Sequence, residues 1–430
     1  MQSPPRQPQT LAQKLIARAS GRAHVAPGEI VNCRVDLAMF HDSSGPRRLK
    51  PMLEELGARI WDKERVVLVM DHYVPERDDD SRRIVRIARD WAREQQLPHV
   101  YDSIGICHVV LPQKGHLRPG MFCVGGDSHS PTGGAFGAYM FGIGATEMLG
   151  VVVTGEIWVR VPLTLRMWWD GRLAAGVSAK DMVLHLTGRF GMNGGDYQAV
   201  EFCGPGVQAL AMQERMTLSN MSAEMGAQAG LVAPDAVTRE WLLAAGVPPE
   251  AIEIERWHTD EGVDDSVART FRFDAAALAP QVAAPHSPAN ARAVGEFGAT
   301  PVQVAYIGAC TGAKLEDLRA AAAVLRGGRV AAGVRLMVAP ASLQDQQAAE
   351  AEGVLGTLRA AGAELLPTSC GACAGYGGSI PDGATVIATT ARNFKGRMGS
   401  ASAEVYLASP YTVAASALRG RISDPREVLA

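Results

Sequence analysis

Short β-branched apolar runs along this chain end in polar residues and are followed by longer stretches with helical periodicity. "RVVLVMDH" reads as a buried strand closing on Asp71 and His72, and "RRIVRIARDWAREQQ" as the amphipathic helix after it. "VAYIGACTGAKLEDLRAAAAVLRG" gives strand, small-residue loop and helix, and "ATVIATTARNF" gives another strand running into polar residues. Such alternation predicts an α/β protein with mostly parallel sheets, whose sites lie beyond the carboxyl ends of the strands. The polar clusters fall at those ends. Between residues 280 and 294, "PQVAAPHSPANARAV" is rich in Pro and Ala and reads as an interdomain linker. A second shift in composition follows "RMWWDGR" near residue 170, and the acidic run Asp78–Asp80 reads as a helix start.

Length and composition narrow the class. The chain has 430 residues, 47% of them hydrophobic and 20% charged, with a net charge of −3. That suits a globular protein of two or three domains and gives no electrostatic case for nucleic acid or acidic membranes. The start of the chain is proline-broken and then amphipathic, without the apolar core of a signal peptide. The most apolar long stretch, Met140 to Val159, is interrupted by Glu147, Glu156 and glycines, which predicts a buried segment rather than a membrane span. A cytoplasmic protein is expected.

Seven cysteines, an odd number in a large chain of this kind, do not read as a disulfide framework. Cys33, Cys107, Cys123 and Cys203 read as small buried hydrophobes. Cys310, Cys370 and Cys373 sit in glycine-rich loops after apolar runs, and Cys310 precedes a helix whose amino end would favour a thiolate. A zinc site would want four ligands and a second paired motif, which is absent. A redox pair of the C-x-x-C kind and a cubane with one iron lacking a protein thiolate both remain open from the cysteines alone. The acid–base residues add weight to the second. Asp71 with His72, and Asp127, Ser128 and His129 in "GGDSHSPTGG", offer carboxylates that can fix imidazole tautomers for proton transfer. His108 adds a third imidazole, and Arg392 and Arg397 suit substrate carboxylates.

Taken together, these stretches resemble the aconitase superfamily of iron–sulfur hydro-lyases, and within it the large subunits of isopropylmalate dehydratases. The resemblance runs from "PGEIVNCRVDLAMFHDSSGP" through "GGDSHSPTGGAFGAYMFGIGATE", "RMTLSNMSAEMGAQAGLVAPD", "GACTGAKLEDLRAAA" and "SCGACAG" to "ARNFKGRMG" and "YLASPYTVAASAL". It implies three α/β/α units with mostly parallel sheets, over residues 1–168, 169–285 and 286–430, packed around a central cluster site without the swivelling fourth domain. Cys310, Cys370 and Cys373 match the ligands of a [4Fe–4S] cluster with one iron lacking a protein thiolate. Asp71 with His72 and Asp127 with His129 match the family's Asp-His pairs. His108 matches a histidine near the substrate, Asn220 an asparagine near the cluster, and Glu224 a glutamate holding the iron-bound water. Arg392 and Arg397 match arginines near the cluster and substrate carboxylate, and His41 a polar substrate contact.

The implied activity is reversible dehydration and hydration of a small hydroxy-dicarboxylate, 3-isopropylmalate/2-isopropylmalate first, with maleate, citraconate or dimethylmaleate as alternatives. Gly312 and Ala391 stand where family members usually carry asparagine, which removes two amide donors near the cluster and leaves substrate choice open. A small subunit carrying the swivelling domain is expected as partner, since the chain ends at Ala430 where split relatives also end. Two readings of another class are a thiol–disulfide oxidoreductase and an RNA-binding role; neither uses the Asp-His pairs and arginines together.

Overall fold

A computed structural model describes residues 7–376 and 380–429, so the proline-broken start, residues 1–6, and the terminal Ala430 lie outside the described residues. Three largely parallel sheets follow one another along the chain. In the first, the strand order is His99–Asp102, Val66–Met70, Leu37–His41, Phe122–Gly125, Tyr139–Gly142, every pair parallel. The chain first winds outward from Leu37–His41 and then returns to its other side at Phe122. That reversal opens a crevice between the carboxyl ends of two central strands, where open α/β sheets bind ligands.

The expected strand at "RVVLVMDH" is Val66–Met70, fully buried, and the helix after it is Asp79–Gln95. Asp78 caps that helix by accepting from the Ser81 backbone N–H at 2.7 Å, so the acidic run serves as its start. Ile84, Val85, Ala88, Trp91 and Ala92 recur at helical spacing and form its buried face. Trp91 packs against Phe40 of the central strand, with ring centroids 5.6 Å apart. Burying each such large side chain contributes about 1.5–3 kcal/mol, which holds the helix against the sheet and the strand ends in place.

The second sheet has the parallel order Ala229–Val232, Ala199–Cys203, Thr164–Asp170, Ala268–Asp274. The third has seven strands, with Thr385–Ala388, Val304–Ile307 and Arg335–Val338 parallel at its centre. Its edge corrects the linker expectation. Residues 281–283 and 291–293 are antiparallel strands, and Val282 and Ala283 pair with Ala408 and Leu407. Their pairing gives the Pro/Ala-rich segment's backbone groups partners inside the fold, which composition alone does not signal. The dividing points expected at 168/169 and 285/286 fall within Thr164–Asp170 and just beyond Gln281–Ala283; taking the sheets as markers, we propose that the units divide a few residues earlier at each. One core joins first and third sheets, with Met39, Val67, Ile307, Val338 and Ile387 in it. No helix among the described residues is long and apolar enough to cross a membrane.

Candidate active site

Where the first sheet's strand order reverses, the carboxyl end of one strand delivers His41 and that of its neighbour leads into the turn carrying Asp127. Their side chains approach to 3.6 Å across the crevice. His41 stacks on His72, which follows the adjacent strand, with centroids 3.8 Å apart and planes 11° from parallel. Asp71 bonds His72 Nδ1 at 2.7 Å with one oxygen and accepts from the Cys107 N–H at 2.7 Å with the other. Asp42, absent from the sequence reading, accepts from the N–H groups of His72 (3.1 Å) and Tyr73 (2.7 Å). Burial disfavours the imidazolium of His72, but the Asp71 and Asp42 carboxylates outweigh it and carry its pKa up to about 9.

The second acid–base group is wider than the two residues the sequence pairs. Asp127 bonds the His108 ring at 2.7 Å and accepts the backbone N–H of His129 at 2.7 Å. The His129 ring turns instead to Glu224, at 2.8 Å. Asp127 and His129 still lie within ion-pair distance, with His129 Nδ1 3.7 Å from the carboxylate, while the nearer partner of each ring and carboxylate is another residue. Gly142 lets the turn sit against the sheet, since a Cβ there would lie 2.4 Å from the Asp127 carbonyl oxygen. Burial would raise the carboxyl of Asp127, yet His108 beside it holds it well below its usual range. His129 and Arg392 likewise outweigh burial and lower Glu224.

Arg392 follows the strand Thr385–Ala388 and donates to Glu224 at 2.7 Å and to Ser128 Oγ at 2.9 Å. Arg397 approaches Cys373, its Nη2 3.9 Å from the sulfur, while its buried Nε has no partner. His41, His72, Asp127, Ser128, His129, Arg392 and Arg397 line one cavity of about 410 Å³.

The thiols gather beside it. Cys310 follows the strand Val304–Ile307 after Ala309, whose φ of 68° is in the left-handed region that alanine rarely adopts. Its sulfur accepts from Asn220 Nδ2 at 3.2 Å, and Asn220 also bonds Thr132 at 2.8 Å. Cys370 takes its place through its N–H, which donates to the carbonyl oxygen of Asp71 at 2.9 Å. The neighbouring Cys370 holds the Cys373 thiol below its usual range, and Cys310 and Cys373 are close enough to interact electrostatically. The helix after Cys310 starts only at Leu315, and burial dominates: the Cys310 thiol is pushed up to about 12, opposite to the expected helix effect. Gly312 has its own reason for lacking a side chain, since a Cβ there would lie 2.1 Å from the Cβ of Thr389.

These three sulfurs are the donors here that could hold a metal cluster. Soft thiolates suit iron–sulfur chemistry, and Asn220 Oδ1, Glu224 Oε2 and Arg397 Nε stand around them as buried polar atoms with no partner. Ligand atoms of His41, Asp42, Asp71 and His72, and those of His108, Asp127 and His129, also converge within 4.8 Å. Their carboxylates are already engaged by imidazoles and backbone N–H groups, an arrangement for moving protons rather than caging an ion. Asp42 and the buried Lys180 and Lys314 are the participants the sequence reading missed. "HDSS" directly after a strand is the signal for Asp42, whereas the lysines carry none.

Comparison with known proteins shows the family to which the chain belongs. The model of the aconitase family (aconitate hydratase) matches residues 14–301 and 295–420. A 3-isopropylmalate dehydratase large subunit of Desulfatibacillum aliphaticivorans is 40% identical, over 97% of this chain and 99% of its own. One from Methanopyrus kandleri is 43% identical over 98% and 99%. A probable methanogen homoaconitase large subunit of Methanothermobacter thermautotrophicus is 40% identical over 97% of both chains. Among solved structures, aconitase X of Thermococcus kodakaraensis aligns with a TM-score of 0.49 and 13% identity over 84% of each chain.

Proposed function

The chain belongs to the aconitase family and is a hydro-lyase, and on that basis we propose that it is the large subunit of a [4Fe–4S] enzyme that dehydrates and rehydrates a small hydroxy-dicarboxylate. The observation that carries this reading is a cavity lined by His41, His72, Asp127, His129, Arg392 and Arg397, with the thiols beside it: Arg397 approaches Cys373, and Cys310 is bonded by Asn220. Aconitase-family proteins bind a 4Fe–4S cluster, which Cys310, Cys370 and Cys373 would hold here. When bound, the cluster supplies a Lewis acid at the iron that lacks a protein thiolate.

The chain's own residues do the rest. His72, held by Asp71 and Asp42, keeps a proton at its Nε2 side and offers it to the departing hydroxyl, with His41 stacked behind it to fix the ring plane. His129, tied to Glu224, and His108, tied to Asp127, handle the second proton position beside the cysteines. Arg397 takes a substrate carboxylate through its planar fork. Arg392, already bonded to Glu224 and Ser128, fixes the glutamate's orientation and presents its remaining N–H groups to the cavity. The relatives' names as large subunits imply a small-subunit partner; we propose that it carries a swivelling domain that closes the cavity, excludes water and completes the site. Isopropylmalate is the first substrate, with the homoaconitase relative favouring a longer acid as the second reading.

Anaerobic assembly of the chain with its small subunit, assayed against 3-isopropylmalate, citraconate, maleate and homoaconitate, tests the proposal. Turnover of one of these acids by the pair and not by the large chain alone is expected. Full activity from the large chain alone refutes the split site, and no turnover of any of them by a cluster-loaded pair refutes the substrate class.

A further inference from the structure

Lys180 lies in the first turn of the helix Ala179–Phe190 and is 1% exposed. Its ammonium donates to Thr311 Oγ1 at 3.2 Å and to the carbonyl oxygens of Thr389 at 2.9 Å and Thr390 at 2.7 Å. All three acceptors are neutral. Among the described residues, no carboxylate stands within ion-pair distance of it, whereas the equally buried Lys314 has Asp317 at 2.6 Å. Lys314 also donates to the carbonyl oxygen of Cys310 at 3.0 Å, so two lysines hold the same loop and only one of them carries its own counter-charge.

An ammonium buried without an anion is unfavourable, and the amino end of a helix makes it more so, because the helix dipole places partial positive charge there. A hydrophobic residue, or a serine answering the same carbonyls, would avoid that cost. The position makes sense if the counter-charge comes from outside the polypeptide. Thr311 directly follows Cys310, and Thr389 and Thr390 open the loop that ends in Arg392. Burial pulls the ammonium's pKa down to about 7, against the opposing pull of the Cys310 and Cys373 sulfurs.

We propose that Lys180 is a positioning residue that locks the Cys310 loop to the loop of Arg392 and supplies the buried counter-charge for the thiolate-ligated cluster, a role that rests on the cluster reading above. Three thiolates make the assembled cluster anionic, and a fixed cation near it favours the more negative, reduced state. Removing that charge shifts the cluster's potential downward.

The test uses the anaerobically assembled subunit pair with Lys180→Gln and Lys180→Arg. Iron and sulfide content is read first: a wild-type pair that takes up neither overturns the cluster reading and this proposal with it. With the cluster loaded, a redox titration followed by electron paramagnetic resonance reads the charge. Lys180→Gln keeps an amide donor and loses the charge, so the reduced-to-oxidised ratio at a fixed potential should fall at least tenfold, or about 59 mV for a one-electron couple. Lys180→Arg should stay within about threefold of wild type. A loaded Gln variant at wild-type potential, or an Arg variant displaced as far as the Gln variant, overturns the proposal alone. Should neither fold, Thr311→Val and Thr311→Ser remove and keep the hydroxyl that couples the lysine to the cysteine loop. The Val variant alone should then change the cluster's resonance signature, and an unchanged signature overturns the proposal.

Discussion

Cys310 and Cys373 are both buried, but Cys310 stands on a loop enclosed by core, whereas the turn of Cys370 and Cys373 runs on to the exposed Tyr376. Around the first, Asn220 reaches the sulfur, Lys314 the carbonyl oxygen, and Thr389 fills the space beside Gly312 while bonding both the N–H and the carbonyl of Gly308 at 2.8 Å. Around the second, the contacts come from elsewhere in the chain: the Asp71 carbonyl, the Arg397 guanidinium, and a Tyr73–Tyr376 hydroxyl contact of 2.7 Å in which Tyr376 is 41% exposed. One loop is shaped before any ligand arrives; the other is docked by the first sheet. A multi-thiolate group needs both, a fixed anchor to define its position and a turn that can settle onto it.

The largest effect breaks the comparison by asking whether the two loops share one duty. Cys310→Ser and Cys373→Ser should each abolish the brown chromophore of the anaerobically reconstituted protein, and Cys33→Ser, a buried thiol of the first unit, should leave it intact. A chromophore that survives in either of the first two removes that cysteine from the ligand set.

A smaller effect separates the ways the loops are held. In Gly312→Ala the new Cβ meets the Cβ of Thr389, at 2.1 Å, with no flexible group to give way. Overpacking of this kind costs about 1–3 kcal/mol, read as a lower melting temperature, and a cycle with Thr389→Gly should recover part of it. Gly371→Ala on the other loop meets first the end of the Ser369 side chain, at 2.8 Å, and should cost well under half as much. Equal losses would mean that the two loops are equally rigid.

A third effect leaves both loops untouched and measures the first unit against which the second loop docks. Burial, with the nearby His99 charge, pulls the His116 pKa down to about 4, and its ring bonds the Tyr101 hydroxyl at 2.6 Å. The unfolded chain takes up this proton near pH 6.5 and the folded one only near 4, so stability falls as pH drops through that window, by at most about 1.4 kcal/mol per pH unit. Denaturation midpoints measured from pH 7 to 4 should decline in the wild type and flatten in His116→Gln. A variant that keeps the full decline would assign it to other groups.

Much of this architecture was legible because strand ends carry their own marks. "VMDHYVP" joins an apolar run to Asp71 and His72, and those two residues do pair, since a local contact needs only local sequence. The Cys310 and Arg392 loops were legible for the same reason. What escaped was long-range. Asp127 stands beside His129 in sequence, yet the ring of His129 answers to Glu224, which arrives from the second unit. Val282 and Ala283 look like linker because their partner strand, Glu404–Ala408, comes far later. Nothing in "SAKDMVLHL" marks Lys180, and only its contacts with Thr311, Thr389 and Thr390, far along the chain, show it as buried. The helix effect expected at Cys310 lost to desolvation, a quantity that depends on everything around the thiol.

The bond from the Cys370 N–H to the Asp71 carbonyl carries a further consequence for how the protein is made. Asp71 leaves the ribosome early, within the first sheet, which can fold as a unit while synthesis continues. Cys370 emerges only after most of the chain has been translated, so the first unit waits with its docking carbonyl formed but unanswered. The turn of Cys370 and Cys373 can therefore dock against the first sheet only once most of the third sheet has been translated.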